Sequence, residues 1–82
     1  MAETARVELE VPVEWLRDLR DETTALEVVS LGVQEYRIRR ALALYQRGVG
    51  SIGYVAELVG VPKPLLMEEG RRRGASPGYN EE

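Results

Sequence analysis

The chain contains no cysteine, no histidine and no phenylalanine, and Trp15 is its single tryptophan. Without cysteine it forms neither a disulfide framework nor a thiolate metal site. Without histidine it lacks the commonest metal ligand and the commonest general base near neutral pH, so its three serines have no activating partner. We therefore expect no enzyme and no cofactor. The sequence also lacks an apolar run of roughly 20 residues and a signal-peptide pattern, which predicts a cytoplasmic location.

The 82 residues fit a single domain, and a core this small favours oligomerisation. The net charge of −3 is unevenly distributed. Residues 1–35 carry 3 basic and 9 acidic side chains, residues 36–73 carry 8 basic and 3 acidic side chains, and the remaining tail adds two glutamates. A basic segment inside an acidic chain indicates a nucleic-acid partner, because lysine and arginine supply most non-specific affinity for phosphates.

The N-terminal part, residues 1–36, predicts a strand followed by helices. Apolar and polar residues alternate between Ala5 and Val11, which is typical of a half-buried strand. Pro12 ends this pattern, and a short helix is predicted from Val13 to about Arg20. A lone strand has unpaired edges, so we expect it to pair with its own copy as an antiparallel ribbon in a homodimer.

A longer helical pattern begins near Thr24, where Thr24-Ala25-Leu26-Glu27 matches a capping box. The apolar positions continue to Tyr45, with Gly32 inside the pattern. Two alternatives stay open: one helix over residues 25–47, or two helices that meet near Gly32 or Arg37.

Residues 37–74 predict a helix-turn-helix. Ile52, Val55, Ala56 and Val59 have helical spacing, Ser51 is placed as the N-cap, and Gly60 is placed to end the helix. A third segment begins with Pro62, and two short helices joined by a tight glycine turn are the outline of this motif. The predicted fold is thus mainly α, with one N-terminal β-strand in a dimer ribbon and a helix-turn-helix-like second half. We expect its core to comprise Leu9, Val11, Leu16, Leu19, Leu26, Val29, Val33, Leu42, Tyr45, Ile52, Val55, Ala56, Val59, Val61 and Leu66.

The glycines from Gly48 to Gly53 match the phosphate-binding pattern GxGxxG. That chemistry requires a preceding strand and a βαβ unit, whereas the segment before Gly48 reads as a helix. We interpret these glycines as an interhelical loop.

Two resemblances follow from these patterns. Residues 5–36 resemble a ribbon-helix-helix dimerisation unit. The second half resembles a family of small prokaryotic antitoxin-like proteins at Arg37, Arg40, Ala41, Leu44-Tyr45, Gly48, Ser51-Ile52-Gly53, Ala56-Glu57-Leu58, Gly60-Val61 and Arg73-Gly74. The resemblance implies an antitoxin that represses its own operon and binds a toxin, which in such pairs is often a PIN-type nuclease.

The third helix departs from that family pattern. Pro62 and Pro64 occupy its opening, and Glu69 and Gly70 stand where apolar residues are expected, with Gly70 predicted to loosen the packing. The start of this helix offers bases only Lys63, Leu65 and Glu68. We therefore predict binding to double-stranded DNA that is dominated by phosphate contacts, with weak base readout. The candidate nucleic-acid-binding residues are Arg37, Arg39, Arg40, Arg47, Tyr54, Lys63, Arg71, Arg72 and Arg73.

Those cations have a second interpretation as a solvated helix face, with the arginines of residues 71–73 completing a helix C-terminus. The alternative function is a protein-interaction module, either a toxin-binding antitoxin or an adaptor, that does not bind DNA. Its candidate partner-binding residues are Trp15, because tryptophan is enriched at interfaces, and Tyr79 in the tail. The tail, residues 75–82, has no periodicity and is predicted to be flexible and acidic.

Overall fold

The computed structural model describes residues 3–75, and every regular element within them is helical. A single 3-10 turn at Val13–Trp15 runs into the one-turn helix α1, Leu16–Leu19. The long helix α2 spans Glu22–Gln46 and is followed by α3, Ile52–Val59, and α4, Lys63–Arg73. None of these helices has both the length and the apolar character needed to cross a bilayer.

The predicted N-terminal strand and its ribbon are wrong. Residues 3–12 carry no strand, and no strand occurs elsewhere in residues 3–75. On the apolar side of their alternating pattern, Val7 is 75% and Leu9 is 79% exposed, so this side is not buried before Val11. A strand is defined by ladder hydrogen bonds to a neighbour, and an alternating sequence without a second extended segment beside it does not form one.

The region between Asp21 and Gln46 forms one continuous helix, which decides between the two alternatives left by the sequence. The predicted capping box at Thr24 is wrong, because the helix begins three residues earlier. Asp21 is the N-cap, and its carboxylate accepts hydrogen bonds from the Thr24 amide at 3.0 Å and the Thr24 hydroxyl at 3.1 Å. Gly32 lies within α2 without breaking it, and no described atom outside the adjacent helix backbone and its two neighbouring residues lies within 4 Å of the site of its missing side chain.

The core lies between the second half of α2 and the pair α3 and α4. Its fully buried apolar residues are Ile38, Ala41, Leu42, Val55, Ala56, Val61 and Leu66, against which Leu44, Tyr45, Ile52, Val59, Leu65 and Ala75 pack. The predicted core is confirmed for this half of the chain. Ile38 and Ala41, which were absent from the predicted core, extend the same buried face of α2.

The predicted core of the first half is wrong. Leu9, Leu16, Leu26, Val29 and Val33 are exposed, and Val11 and Leu19 are only half-buried. No residue described before Ile38 is buried, so the first half of α2 projects beyond the core. The apolar spacing of these elements therefore predicted buried faces, whereas residues 3–75 cover those faces only in part.

Gly70 has the opposite role to the one predicted. It is buried, and a Cβ atom at this position would lie 3.2 Å from Cδ2 of Leu42. The missing side chain lets α4 approach α2 closely, so Gly70 tightens the contact between the two helices rather than loosening it.

Candidate nucleic-acid interface

The helix-turn-helix is built by local capping signals that the sequence predicts. The hydroxyl of Ser51 accepts a hydrogen bond from the Tyr54 amide at 3.1 Å, which confirms Ser51 as the N-cap of α3. Gly60 ends α3 at φ +94°, a left-handed conformation that favours glycine. The Gly60 and Val61 amides both donate to the Ala56 carbonyl, at 2.8 and 2.9 Å, and so satisfy the end of the helix.

Only Gly60, Val61 and Pro62 separate α3 from α4, so the two helices form a compact angle over α2. Leu66 on α4 and Val55 on α3 are completely buried and fix this angle from the inside. The loop before α3 contains Gly48 at φ +79°, and its amide donates to the Tyr45 carbonyl. Gly48 and Gly50 therefore lie in the loop that joins α2 to α3, as predicted, whereas Gly53 lies in the first turn of α3 and not in the loop.

The outer surface of α4 presents a narrow stripe of mixed apolar and charged residues away from the core. Pro64, Met67, Glu68 and Arg71 recur at helical spacing, and all four are exposed. Lys63 begins the helix, and its side chain runs along α3, with Cδ, Cε and Nζ each 3.6 Å from the site of a Cβ at Gly53. Lys63 and Arg71 stand about 12 Å apart along the helix axis, a span similar to the width of the DNA major groove.

Three of the predicted DNA-contacting arginines are held by carboxylates instead. Arg73 donates to both oxygens of Glu35, from Nη1 at 2.8 Å and from Nη2 at 3.0 Å, and its Nε donates to Glu69 at 2.9 Å. Arg72 donates to both Glu69 oxygens at 2.6 and 2.7 Å. Arg39 donates to Glu35 at 2.8 Å. This arginine–glutamate cluster joins the C-terminal turn of α4 to the middle of α2.

The cluster changes the ionisation of its carboxylates. Hydrogen bonds from Arg73 and then Arg39 lower the pKa of Glu35 from 4.5 to about 2. The hydrogen bond from Arg72 is the main cause that lowers the pKa of Glu69. The same partners, Glu35 first, raise the pKa of Arg73. Arg39, Arg72 and Arg73 therefore already have anionic partners, and a phosphate that binds them must compete with these carboxylates.

The remaining predicted cations do not converge on one surface. Arg37, Arg40, Arg47, Lys63 and Arg71 form no ion pair with a carboxylate of residues 3–75. Because α2 turns by about 100° per residue, Arg40 points away from the side on which Ile38 and Leu42 contact α3 and α4. The structure thus places Lys63 and Arg71 on the same helix, α4, and Arg40 on the far side of α2.

Tyr54 is exposed on α3, with its ring beside Gly50: a Cβ at Gly50 would lie 2.5 Å from Cδ2 of Tyr54. Trp15 is exposed at the end of the 3-10 turn, so it is available to a partner and does not pack under a ribbon. Tyr79 and all of the predicted tail after Ala75 lie outside the described residues.

Glu35 and Glu69 were not predicted as partners of the arginines. The pairs Glu35–Arg39 and Glu69–Arg73 are four residues apart, which is a recognised helical ion-pair spacing and could have identified them. The Glu35–Arg73 pair spans 38 positions and has no comparable local signal.

Within residues 3–75 no group of three or more histidine, cysteine, aspartate or glutamate side chains is placed to hold a metal ion. Comparison of the chain with protein-family models, with curated proteins and with solved structures finds no match.

Proposed function

We propose that this protein is a DNA-binding transcriptional regulator of the antitoxin type, which works in the cytoplasm as a homodimer. One observation carries the proposal: α3 and α4 form a capped helix-turn-helix whose outer helix exposes cations near both ends, at Lys63 and Arg71, and neither pairs with a carboxylate of residues 3–75. The excess of basic residues in positions 36–73 supports it, because phosphate contacts supply most of the affinity of such proteins for duplex DNA.

The binding energy comes mainly from phosphates and little from bases. Pro64, Met67 and Glu68 occupy the exposed positions of α4 that would face base edges. Proline and methionine side chains donate no hydrogen bonds, and the Glu68 carboxylate is repelled by the phosphates unless it accepts a bond from cytosine. Lys63 and Arg71 position the helix on the backbone without reading sequence.

The salt dependence of binding tests this proposal. Fluorescence anisotropy with the upstream DNA of the gene and with a random duplex, each at several salt concentrations, gives the number of phosphate contacts. Lys63→Ala and Arg71→Ala should each reduce the slope of log K against log salt by about 1. Arg17→Ala, which removes an exposed arginine from α1, is the matched control and should leave the slope unchanged.

Three results of this assay would each refute a different part of the proposal. Equal slopes for Lys63→Ala, Arg71→Ala and Arg17→Ala would refute the helix-turn-helix as the contact surface. Absence of any binding would refute the DNA-binding function. Affinity for the upstream DNA no greater than for the random duplex would refute repression of the protein's own operon.

A second candidate function is a protein-interaction module that does not bind DNA. The observation that favours it is the exposure of Tyr54, Leu58 and Met67 on the outer side of the helix-turn-helix, beside the acidic Glu68. Large apolar side chains and a carboxylate suit a protein partner better than a phosphate backbone. On the antitoxin reading that partner is a toxin, with a PIN-type nuclease as the candidate.

Co-expression with the product of the neighbouring open reading frame tests the second function. An affinity-tagged chain should retain that product, and Trp15→Ala or Met67→Asp should reduce its recovery. Recovery of the tagged chain alone would refute the toxin-binding function. Equal recovery with the wild type and both variants would show that neither surface contributes.

A further inference from the structure

The first half of α2 carries an apolar stripe that residues 3–75 cover only in part, with Val11 and Leu19 beside its N-terminal end. Leu26, Val29, Val33 and Tyr36 are separated by three, four and three residues, so they share one face of the helix. Their side chains are between 42% and 64% exposed. Monomeric proteins rarely expose a continuous apolar surface of this kind, and such surfaces mark contacts with other molecules.

Two cavities lie along this stripe, one towards each end. The first, of about 650 Å³, lies between the extended segment of residues 5–11 and the side chains of Leu26 and Val29. The second, of about 390 Å³, lies between Val33 and the turn before α4, where Pro62 and Leu65 form its far wall. The stripe therefore forms the floor of an open trough along one side of α2.

The charges at the two ends of the trough are opposite. Glu22, at the start of α2, borders the first cavity, and Arg37 borders the second. These two positions are 15 residues apart, or about 22 Å along a helix. Neither side chain forms an ion pair among the described residues, so both remain available to an outside partner.

We infer that the trough is a dimer interface in which two copies of α2 pack antiparallel about a twofold axis. A register that places Glu22 of one copy opposite Arg37 of the other also places Leu26 opposite Val33. The axis then lies between Val29 and Ser30, and both unlike-charge pairs form at once. A parallel arrangement would instead place like charges opposite each other at both ends of the helix pair.

The packing is consistent with this register. Leu26 of one copy enters the smaller cavity beside Val33 and Leu65 of the other, and the twofold axis repeats the contact. The interface is self-complementary, as a twofold contact requires, because an apolar centre is flanked by one acidic end and one basic end. It uses helical faces only and needs no strand pairing.

The antiparallel register also predicts the spacing of the two helix-turn-helix units in the dimer. Among the consequences of this interface, only this one rests on the proposed DNA-binding function. Ile38 and Leu42 mark where the helix-turn-helix packs on α2. In the antiparallel register the two copies of Ile38 are about 25 Å apart along the helix axes, and the two copies of Leu42 are about 38 Å apart. One turn of DNA is about 34 Å, so the two copies of α4 are spaced on the scale of adjacent half-sites.

Cysteine cross-linking tests the register directly, because the natural chain contains no cysteine. Leu26→Cys and Val33→Cys are prepared separately, mixed, and treated with a short bismaleimide. The antiparallel register predicts that the mixed 26–33 product predominates over the 26–26 and 33–33 products. Leu31→Cys, which is exposed on the opposite side of α2, is the control and should cross-link much less.

A charge exchange tests the ends of the interface. In sedimentation experiments without DNA, Glu22→Arg and Arg37→Glu should each weaken the homodimer roughly tenfold, since each variant converts two attractive contacts into repulsive ones. The double variant should recover most of the lost affinity, whereas Glu27→Arg, away from the stripe on the same helix, should have little effect. Far-UV circular dichroism confirms that each variant is folded.

Four outcomes would overturn the inference. The first is a wild-type chain that sediments as a monomer at high concentration, and the second is a predominance of the 26–26 and 33–33 cross-linked products. The third is cross-linking of Leu31→Cys as strong as that of the 26–33 mixture. The fourth is a double variant that dimerises no more tightly than the single variants. Dimerisation is measured without DNA, so a dimer that binds no duplex refutes the proposed function and leaves the interface intact. A monomer that binds duplex refutes the interface and the homodimeric state, and leaves the DNA-binding function intact.

Discussion

Replacing Gly70 by alanine and by valine measures how closely α4 packs on α2. A helical glycine costs about 1 kcal/mol relative to alanine, so alanine gains roughly that amount from helix propensity. Its methyl group would meet Cδ2 of Leu42 at 3.2 Å and Cδ1 of Ile52 at 4.0 Å. Leu42 must move by a few tenths of an ångström, which offsets part of the gain. We expect Gly70→Ala to change the free energy of unfolding by less than about 1 kcal/mol.

Valine at position 70 adds two further carbon atoms to the same space and restricts the side-chain rotamer within a helix. Overpacking of this kind costs about 1–3 kcal/mol, so we expect Gly70→Val to be clearly destabilising. Gly32→Ala is the matched control, because nothing lies within 4 Å of its Cβ position and it should gain the full propensity term of about 1 kcal/mol. The difference between the two alanine variants isolates the cost of packing against Leu42.

Urea denaturation followed by circular dichroism measures all three variants under one set of conditions. From most to least stable, the expected order is Gly32→Ala, Gly70→Ala and Gly70→Val. The slope of the free energy of unfolding against urea concentration should be the same for all three. A Gly70→Val variant as stable as Gly70→Ala would refute the close approach of the two helices. A Gly70→Ala variant that gains as much as Gly32→Ala would show that Leu42 does not restrict the site.

The remaining predictions concern the core, the helix cap and the ion pairs. Leu66→Ala should cost about 2–5 kcal/mol in the same denaturation assay, because Leu66 is fully buried, whereas Leu58→Ala, at an exposed position, should cost far less. Ser51→Ala should cost about 0.5–2 kcal/mol by removing the hydrogen bond to the Tyr54 amide, and Ser51→Asp should retain most of the stability. The pKa of the Glu35 carboxyl is about 2 in the folded chain, against an ordinary value of 4.5 in the unfolded chain. The ionised carboxylate should therefore contribute fully to stability above about pH 4.5, and this contribution should be lost as the pH falls towards 2. Glu35→Gln should remove that part of the acid dependence, and an unchanged acid limb of the stability curve would contradict the ion pair.

The helix-turn-helix could be predicted because its determinants are local. The Ser51 hydroxyl caps α3 by accepting a hydrogen bond from the amide three residues further on. Gly60 ends α3 in a left-handed backbone conformation, which residues with a side chain rarely adopt. Leu42, Val55 and Leu66 lie on helical faces that the apolar spacing identifies, and all three are buried. Caps and spacing act over three or four residues, so a single sequence contains enough information to specify them.

The strand could not be distinguished from an extended segment in the same way. Val7, Leu9 and Val11 alternate with polar residues, but alternation describes only which side each residue faces. Whether the segment pairs depends on a second backbone at hydrogen-bonding distance, and that is a property of the tertiary structure. The exposed position of Leu26 has the same origin: its spacing predicts an apolar face, but how much of that face is covered depends on the tertiary structure, which leaves Leu26 64% exposed.

The candidate site departs from prediction because the fold itself uses three of the arginines that the sequence assigns to DNA. Counting cations in residues 36–73 treats every arginine as available, whereas Arg39, Arg72 and Arg73 neutralise Glu35 and Glu69 and join α4 to α2. In the proposed DNA complex each of these arginines would exchange one anion for another on contact with a phosphate, and would therefore contribute less to binding than Lys63 or Arg71. Under that proposal, the surface that binds phosphate most strongly would be defined by the cations that the fold does not use, rather than by the densest run of arginines in the sequence.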